Sequence, residues 1–170
     1  DLVEALRSEL NKGKISPVYV IRGERVEIAN ELIEVLKSFV LAPGFEDFDY
    51  TVLYGDELSE SLLSVLNSPP MASERRVVVL RRWDKMDKNS KEELYGYLKD
   101  PAPYSVLVVW DEDGKLKKGN FREWNTGTLR SRNWEEEFKE KGLVLTPDAQ
   151  RYLEEIRSRG VTWSLIELEK

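Results

Sequence analysis

The sequence predicts an α/β protein built on a mostly parallel sheet covered by helices. Two observations carry that reading. Helical and strand-like segments alternate four times over the first 110 residues, as expected when helices return the chain between parallel strands. The strand-like segments are aliphatic runs, of which Val77-Val78-Val79-Leu80 is the plainest. An unbroken aliphatic run suits a strand buried on both faces.

Leu2, Leu6 and Leu10 recur every four residues, so residues 2–12 read as an amphipathic helix stopped by Gly13. Pro17 opens the first strand, Val18 to Ile21, and Gly23 ends it. Ile28, Leu32, Val35, Leu36 and Phe39 fit a 3.6-residue period and predict a helix over Val26–Val40, broken by Ala42-Pro43-Gly44. Phe48 to Tyr54 reads as the second strand, with Gly55-Asp56 as its turn. Ser59 is placed to cap a short helix that runs through Leu66. The strand from Arg76 to Leu80 follows the proline pair Pro69-Pro70. Ser90 and Glu93 have capping-box spacing for a helix to Lys99, with Leu94, Tyr97 and Leu98 on its apolar face. Pro101 and Pro103 end it, and Ser105 to Trp110 is the fourth strand.

After Trp110 the texture changes. Residues 111–132 are polar and read as a loop, with a short fifth strand expected at Thr126–Leu129 or Leu143–Leu145. From Asn133 the rhythm is helical again: Trp134 and Phe138 lie four apart, and Thr146-Pro147 is a cap with proline at the first helical position. Ala149, Tyr152, Leu153 and Ile156 line one face of that helix, and Thr162 is placed to cap a last one. The reading is an α/β domain at residues 1–132 and the start of a helical unit at 133–170. The chain lacks an initiator methionine and ends in Leu165-Ile166-Glu167-Leu168, still in helical rhythm, so a longer protein is expected.

Composition narrows the chemistry. The 170 residues are 41% hydrophobic and 34% charged, and the net charge of −6 argues against a general nucleic-acid binder. With no cysteine and no histidine, disulfides, thiolate chemistry and the commonest general base and metal ligand are excluded. Zinc sites lose their usual donors. No apolar run approaches the roughly 20 residues of a membrane span, and the start does not resemble a signal peptide. A cytoplasmic protein without a membrane partner, metal or cofactor is expected.

A phosphate-binding loop would lie between the first strand and the second helix, where G-x-x-x-x-G-K-[ST] supplies free amides, a lysine for the phosphates and a hydroxyl for magnesium. Counted from Gly23, the last three places are Ile28, Ala29 and Asn30. Neither the second glycine nor the lysine nor the hydroxyl is there, and Glu24 and Glu27 would repel a triphosphate. The second nucleotide element is a pair of acids at a strand end that hold magnesium. After Val77–Leu80 the chain has Arg81 and Arg82, which cannot coordinate a cation. Taken alone, the two arginines are solvated charges at a strand end. Beside the missing phosphate loop, they read as an architecture kept without its catalysis.

The remaining candidates are an apolar tip and two basic clusters. Pro69, Pro70, Met71 and Ala72 form the tip, where two prolines restrain the backbone and Met71 either caps the local core or is presented to a partner. Arg75, Arg76, Arg81, Arg82, Lys85, Lys88 and Lys91 form one basic cluster. Lys115, Lys117, Lys118 and Arg122, near Phe121 and Trp124, form the other. Cations among aromatics are either an ordinary solvated surface or a place to stack bases.

These segments resemble the delta subunit of the bacterial DNA polymerase III clamp loader. The resemblance rests on Pro17-Val-Tyr-Val-Ile-Arg-Gly-Glu, on Pro43-Gly-Phe-Glu-Asp-Phe, and on Met71-Ala-Ser-Glu-Arg-Arg-Val-Val-Val-Leu before Asp84-Lys85-Met86. Tyr97-Leu98-Lys99-Asp100-Pro101 and the helical run after Asn133 agree less strictly. It implies an AAA+-like five-stranded parallel sheet flanked by helices, then the start of a small all-α lid domain, with a collar domain outside these residues. It also implies a non-catalytic subunit that grips the ring-shaped sliding clamp, the beta subunit, and favours its opening. The apolar pair that the family places before Ala-Ser falls here on Pro70 and Met71, where leucine and phenylalanine are common. The gamma/tau and delta-prime subunits would be met mainly through the collar, and DNA only indirectly or weakly. A divergent nucleotide hydrolase is the alternative, and a regulatory nucleic-acid module using residues 115–124 is a third.

Overall fold

The computed structural model describes residues 1–127, 141, 142, 144 and 146–158. By their contacts, the residues divide into two compact units, Asp1–Thr126 and Gly127–Lys170. In the first, the order is α1 (Leu2–Asn11), β1 (Val18–Arg22), α2 (Val26–Val40), α3 (Glu46–Asp49), β2 (Tyr50–Tyr54), α4 (Leu62–Leu66) and β3 (Arg76–Arg81). A 3-10 turn at Trp83–Lys85, α5 (Lys88–Lys99), β4 (Ser105–Asp111) and β5 (Arg122–Asn125) complete it. In the second unit the described residues contain α6, Pro147–Ser158, whose start is capped where Ala149 N donates to Thr146 Oγ1 at 3.2 Å. The helices expected from Trp134 and from Thr162 lie outside the described residues.

The five strands form one sheet in the order β2-β3-β4-β1-β5, every neighbouring pair parallel. Val52, Val79 and Val108 stand side by side across β2, β3 and β4. Alternate residues then fill two separate cores. Tyr19, Ile21, Val77, Val79, Val106, Val108 and Trp110 meet Leu6, Leu10, Leu32 and Leu36 of α1 and α2. Val18, Val20, Val78, Leu80, Leu107 and Val109 meet Leu62, Val65 and Leu66 of α4, Leu94 and Tyr97 of α5, and Trp83. The whole of β4, Ser105–Asp111, is buried, which is why its sequence carries no alternation to read.

Four expectations change. The second strand starts at Tyr50, because Phe48 and Asp49 belong to the short helix α3. The helix before the proline pair starts at Leu62 with Ser61, not Ser59, at its cap position. Asp87 caps α5, accepting from Ser90 N at 2.7 Å; a carboxylate is a stronger acceptor for an amide than the expected serine hydroxyl. The fifth strand of the sheet is Arg122–Asn125, inside the stretch read as loop; Thr126 and Gly127 follow it without strand structure, and residues 128, 129, 143 and 145 of the two expected positions lie outside the described residues. It is an edge strand with only Trp124 turned into the core, so one inward residue was all the signal it had.

The turn after β2 is held against the end of β3. Gly55 N donates to Arg81 O at 2.8 Å, and a side-chain carbon built on Gly55 would stand 2.0 Å from the carbonyl oxygen of Arg82. That atom is backbone and cannot swing away. Gly55→Ala is therefore expected to destabilise the fold by about 1–3 kcal/mol, measured by urea denaturation, since an inserted carbon must move the main chain.

Candidate functional site

The tip lies between α4 and β3, at the amino end of β3. Adjacent prolines have no amide to continue a helix, so α4 ends at Leu66 with Asn67 as its cap. Helix ends leave carbonyls without partners, and here side chains from elsewhere take them. Arg76 donates through Nη1 to Val65 O at 3.1 Å and Ser68 O at 3.2 Å, Ser105 Oγ to Leu66 O at 2.7 Å, and Tyr104 OH to Asn67 O at 2.9 Å. The segment leading into the prolines is thereby tied to β3 and to the start of β4.

Past the prolines, the chain is tied by one carboxylate. Asp49, 1% exposed, accepts from Met71 N at 2.5 Å, Ala72 N at 3.0 Å and Ser73 N at 2.7 Å. Ser73 Oγ in turn accepts from Ala42 N at 2.7 Å. Burial alone would raise the pKa of Asp49, but the amides of Met71, Ser73 and Ala72 and the Ser73 hydroxyl outweigh it and bring it down to about 2. The backbone of the tip is fixed while its apolar side chain is left outside: Met71 is 76% exposed, Pro69 and Ala72 are exposed and Pro70 is half-buried. Met71 does not cap the core.

Sequence reasoning missed two neighbours of the tip. Phe45 and Phe48, 46% and 58% exposed, sit with ring centres 6.2 Å apart on the segment that ends in Asp49. The signal available for α3 was the aspartate itself, a poor strand residue between Phe48 and Tyr50.

The positions at which the nucleotide motifs were sought lie at the opposite end of the sheet, roughly 17–20 Å away along β3 by its length. Only Gly23, Glu24 and Arg25 separate β1 from α2, so Ile28, Ala29 and Asn30 stand within the helix, Ala29 fully buried. Gly23, with φ at 110°, donates to Asp111 O at 3.2 Å, and its carbonyl accepts Trp110 Nε1 at 3.4 Å. β1 leads away to β2 on one side while β4 leads to β5 on the other, and a crevice at such a divergence is the usual ligand site of an α/β sheet. Protein fills it. Asp111, 1% exposed, accepts from Arg22 Nη1 at 2.5 Å, Trp83 Nε1 at 2.9 Å, Lys115 N at 3.1 Å and Leu116 N at 3.0 Å.

Arg81 lies over the Trp110 ring at 4.2 Å and faces Glu112 at 3.5 Å. Arg82, in the left-handed region at φ 53°, pairs with Asp56 at 3.0 Å. A cavity of about 210 Å³ remains beside these groups, below the roughly 300 Å³ of ordinary small-molecule sites. Among the described residues no cluster of three or more acids is arranged to hold a metal. Gly23 and Arg81 are thus brought to the same tryptophan, whereas no contact joins either to the tip.

A five-stranded parallel α/β module, covered by helices and with the crevice at the carboxyl ends of its strands filled by its own side chains, is the class that this fold and site define. The family described as DNA polymerase III, delta subunit, matches residues 19–143, and the chain belongs to that family. Among solved structures it is similar to the Bacillus subtilis DNA clamp loader delta protein YqeN, with a TM-score of 0.62 and 21% identity over 74% of this chain and 42% of that one. It is also similar to a DNA polymerase III gamma subunit-related protein of Thermotoga maritima, with a TM-score of 0.51 and 18% identity over 82% of this chain and 48% of that one. At these identities the likeness is one of fold. The chain spans less than half the length of either structure. A comparison with curated proteins found no match.

The Asp49 network has a pH signature. Its folded pKa of about 2 lies below the ordinary 3.8, so the unfolded chain takes up the proton first. The stabilisation is complete at neutral pH, begins to fade as pH falls through 3.8 and is lost below about 2. Asp49→Asn removes the charge from three amides and is expected to cost about 1–3 kcal/mol at pH 7 in urea denaturation. The gap between variant and wild type should narrow as pH falls toward 2; a gap that stays constant would refute the assignment.

Proposed function

We propose that this chain is the clamp-binding part of a clamp loader's delta subunit, non-catalytic in itself, that grips the sliding clamp with the Met71 tip and favours ring opening during DNA replication. The observation that carries the reading is a large apolar side chain, Met71, held 76% exposed on a backbone fixed by a buried carboxylate. An exposed apolar side chain is not unusual by itself; here the fixed backbone beneath it sets Met71 apart. Rigidity helps binding because little freedom is left to lose when the tip enters a pocket. Phe45 and Phe48 extend the apolar surface carried by the Asp49 segment, with Met71 as the anchor and Pro70, Pro69 and Ala72 as its setting.

Ring opening requires binding that prefers the open ring, since equal affinity for both states shifts nothing. A tip that cannot relax holds one geometry and supplies that preference. The three-residue connection after β1 and the arginines at the end of β3 support the absence of ATP hydrolysis and count against a divergent hydrolase. Residues 133–170 are assigned to the start of a helical lid, 1–132 to the AAA+-like domain. The gamma/tau and delta-prime subunits are assigned as partners through a collar beyond these residues, all in the cytoplasm.

Met71→Asp is expected to weaken binding of the cognate sliding clamp at least tenfold in surface plasmon resonance, and Met71→Ala nearly as much, since an interface anchor is worth about 2 kcal/mol or more. Both should melt like the wild type, because the side chain is exposed. Phe48→Ala should lose less. Unchanged affinity in both Met71 variants would overturn the contact.

A further inference from the structure

The second basic cluster divides in space. Lys115 turns toward Asp84 at 3.9 Å and Asp113 at 3.7 Å, on the filled crevice. Lys117 and Lys118 instead line a cavity of about 740 Å³ at the amino ends of β1 and β5, together with Lys99 and Arg122. Tyr95 and Phe121, both half-buried against the core, line it too. No acidic side chain is among its lining residues, in a chain whose net charge is −6. Arg122 is already committed to Glu9 at 2.7 Å, but Lys99, Lys117 and Lys118 form no ion pair with any described residue. Lys117 Nζ lies 5.4 Å from the centre of the Tyr95 ring.

Unpaired lysines repel one another and gain from an anion. Two aromatic rings in the same cavity favour an anion that carries a flat, apolar part. Phosphate joined to a base has both properties, and a single strand repeats them. A duplex keeps its bases stacked inside and could offer the cavity only phosphates. We infer that this cavity binds single-stranded nucleic acid, a base resting against Phe121 or Tyr95 and the flanking phosphates meeting Lys99, Lys117 and Lys118. It lies at the end of the sheet opposite the filled crevice and is independent of the Met71 tip.

The test is fluorescence anisotropy of a labelled oligothymidylate of about ten nucleotides titrated with the whole 170-residue chain. Binding should weaken with salt at a log–log slope of about −2, the value for three phosphates on a single strand. Lys117→Glu with Lys118→Glu should weaken it at least tenfold. The same charge change at Lys85→Glu with Lys88→Glu, exposed lysines that do not line the cavity, should leave it within about twofold. Phe121→Leu, which keeps an apolar residue on the core, should lose about tenfold through stacking. No binding at low salt, equal losses in the two lysine pairs, or displacement by thymidine monophosphate at equal nucleotide concentration would each overturn the proposal.

Discussion

A parallel sheet covered on both faces has no free face on which to place a site. Every strand of the inner sheet carries one row of side chains into each core, and β4 exposes nothing at all. Chemistry and recognition are therefore confined to the two ends of the strands. The rest of the molecule follows from how each end is finished.

At the carboxyl ends, the finish is closure. A buried aspartate with four donors around it, an arginine laid on a tryptophan and a three-residue turn occupy the crevice. Asp111 does not hang in the crevice as an available ligand. Its two oxygens are spent on holding β1, the turn after β3 and the loop after β4 together. A buried carboxylate of this kind is tolerable only because it is fully paired.

At the amino ends, the finish is presentation. Asp49 and Arg76 do complementary work on either side of the proline pair: the carboxylate collects the amides that follow it, and the guanidinium collects the carbonyls that precede it. The backbone is satisfied from within, so Met71 is free of structural duty. The lysine-lined cavity stands at this same end of the sheet.

Most of the fold was legible because it rests on local pattern. The period of Ile28, Leu32, Val35 and Leu36 marks α2, and the aliphatic run Val77–Leu80 marks a buried strand. The missing phosphate loop was equally legible, since a motif is absent from a sequence without reference to space. The tip itself was visible as a proline pair followed by methionine, but not what holds it. Asp49 is 22 residues from Met71, and nothing local distinguishes it from the exposed acids Glu46 and Asp47. In the same way, neighbours in sequence such as Lys115 and Lys117 were given different surroundings, one facing carboxylates and one lining an acid-free cavity. The sequence alone determined which segments are helix and strand and that the nucleotide motif is absent, because those depend on residues close together in the chain. Only the tertiary structure decided which charges meet, that Met71 faces outward and that the crevice is filled, because those depend on distances between residues far apart in the chain.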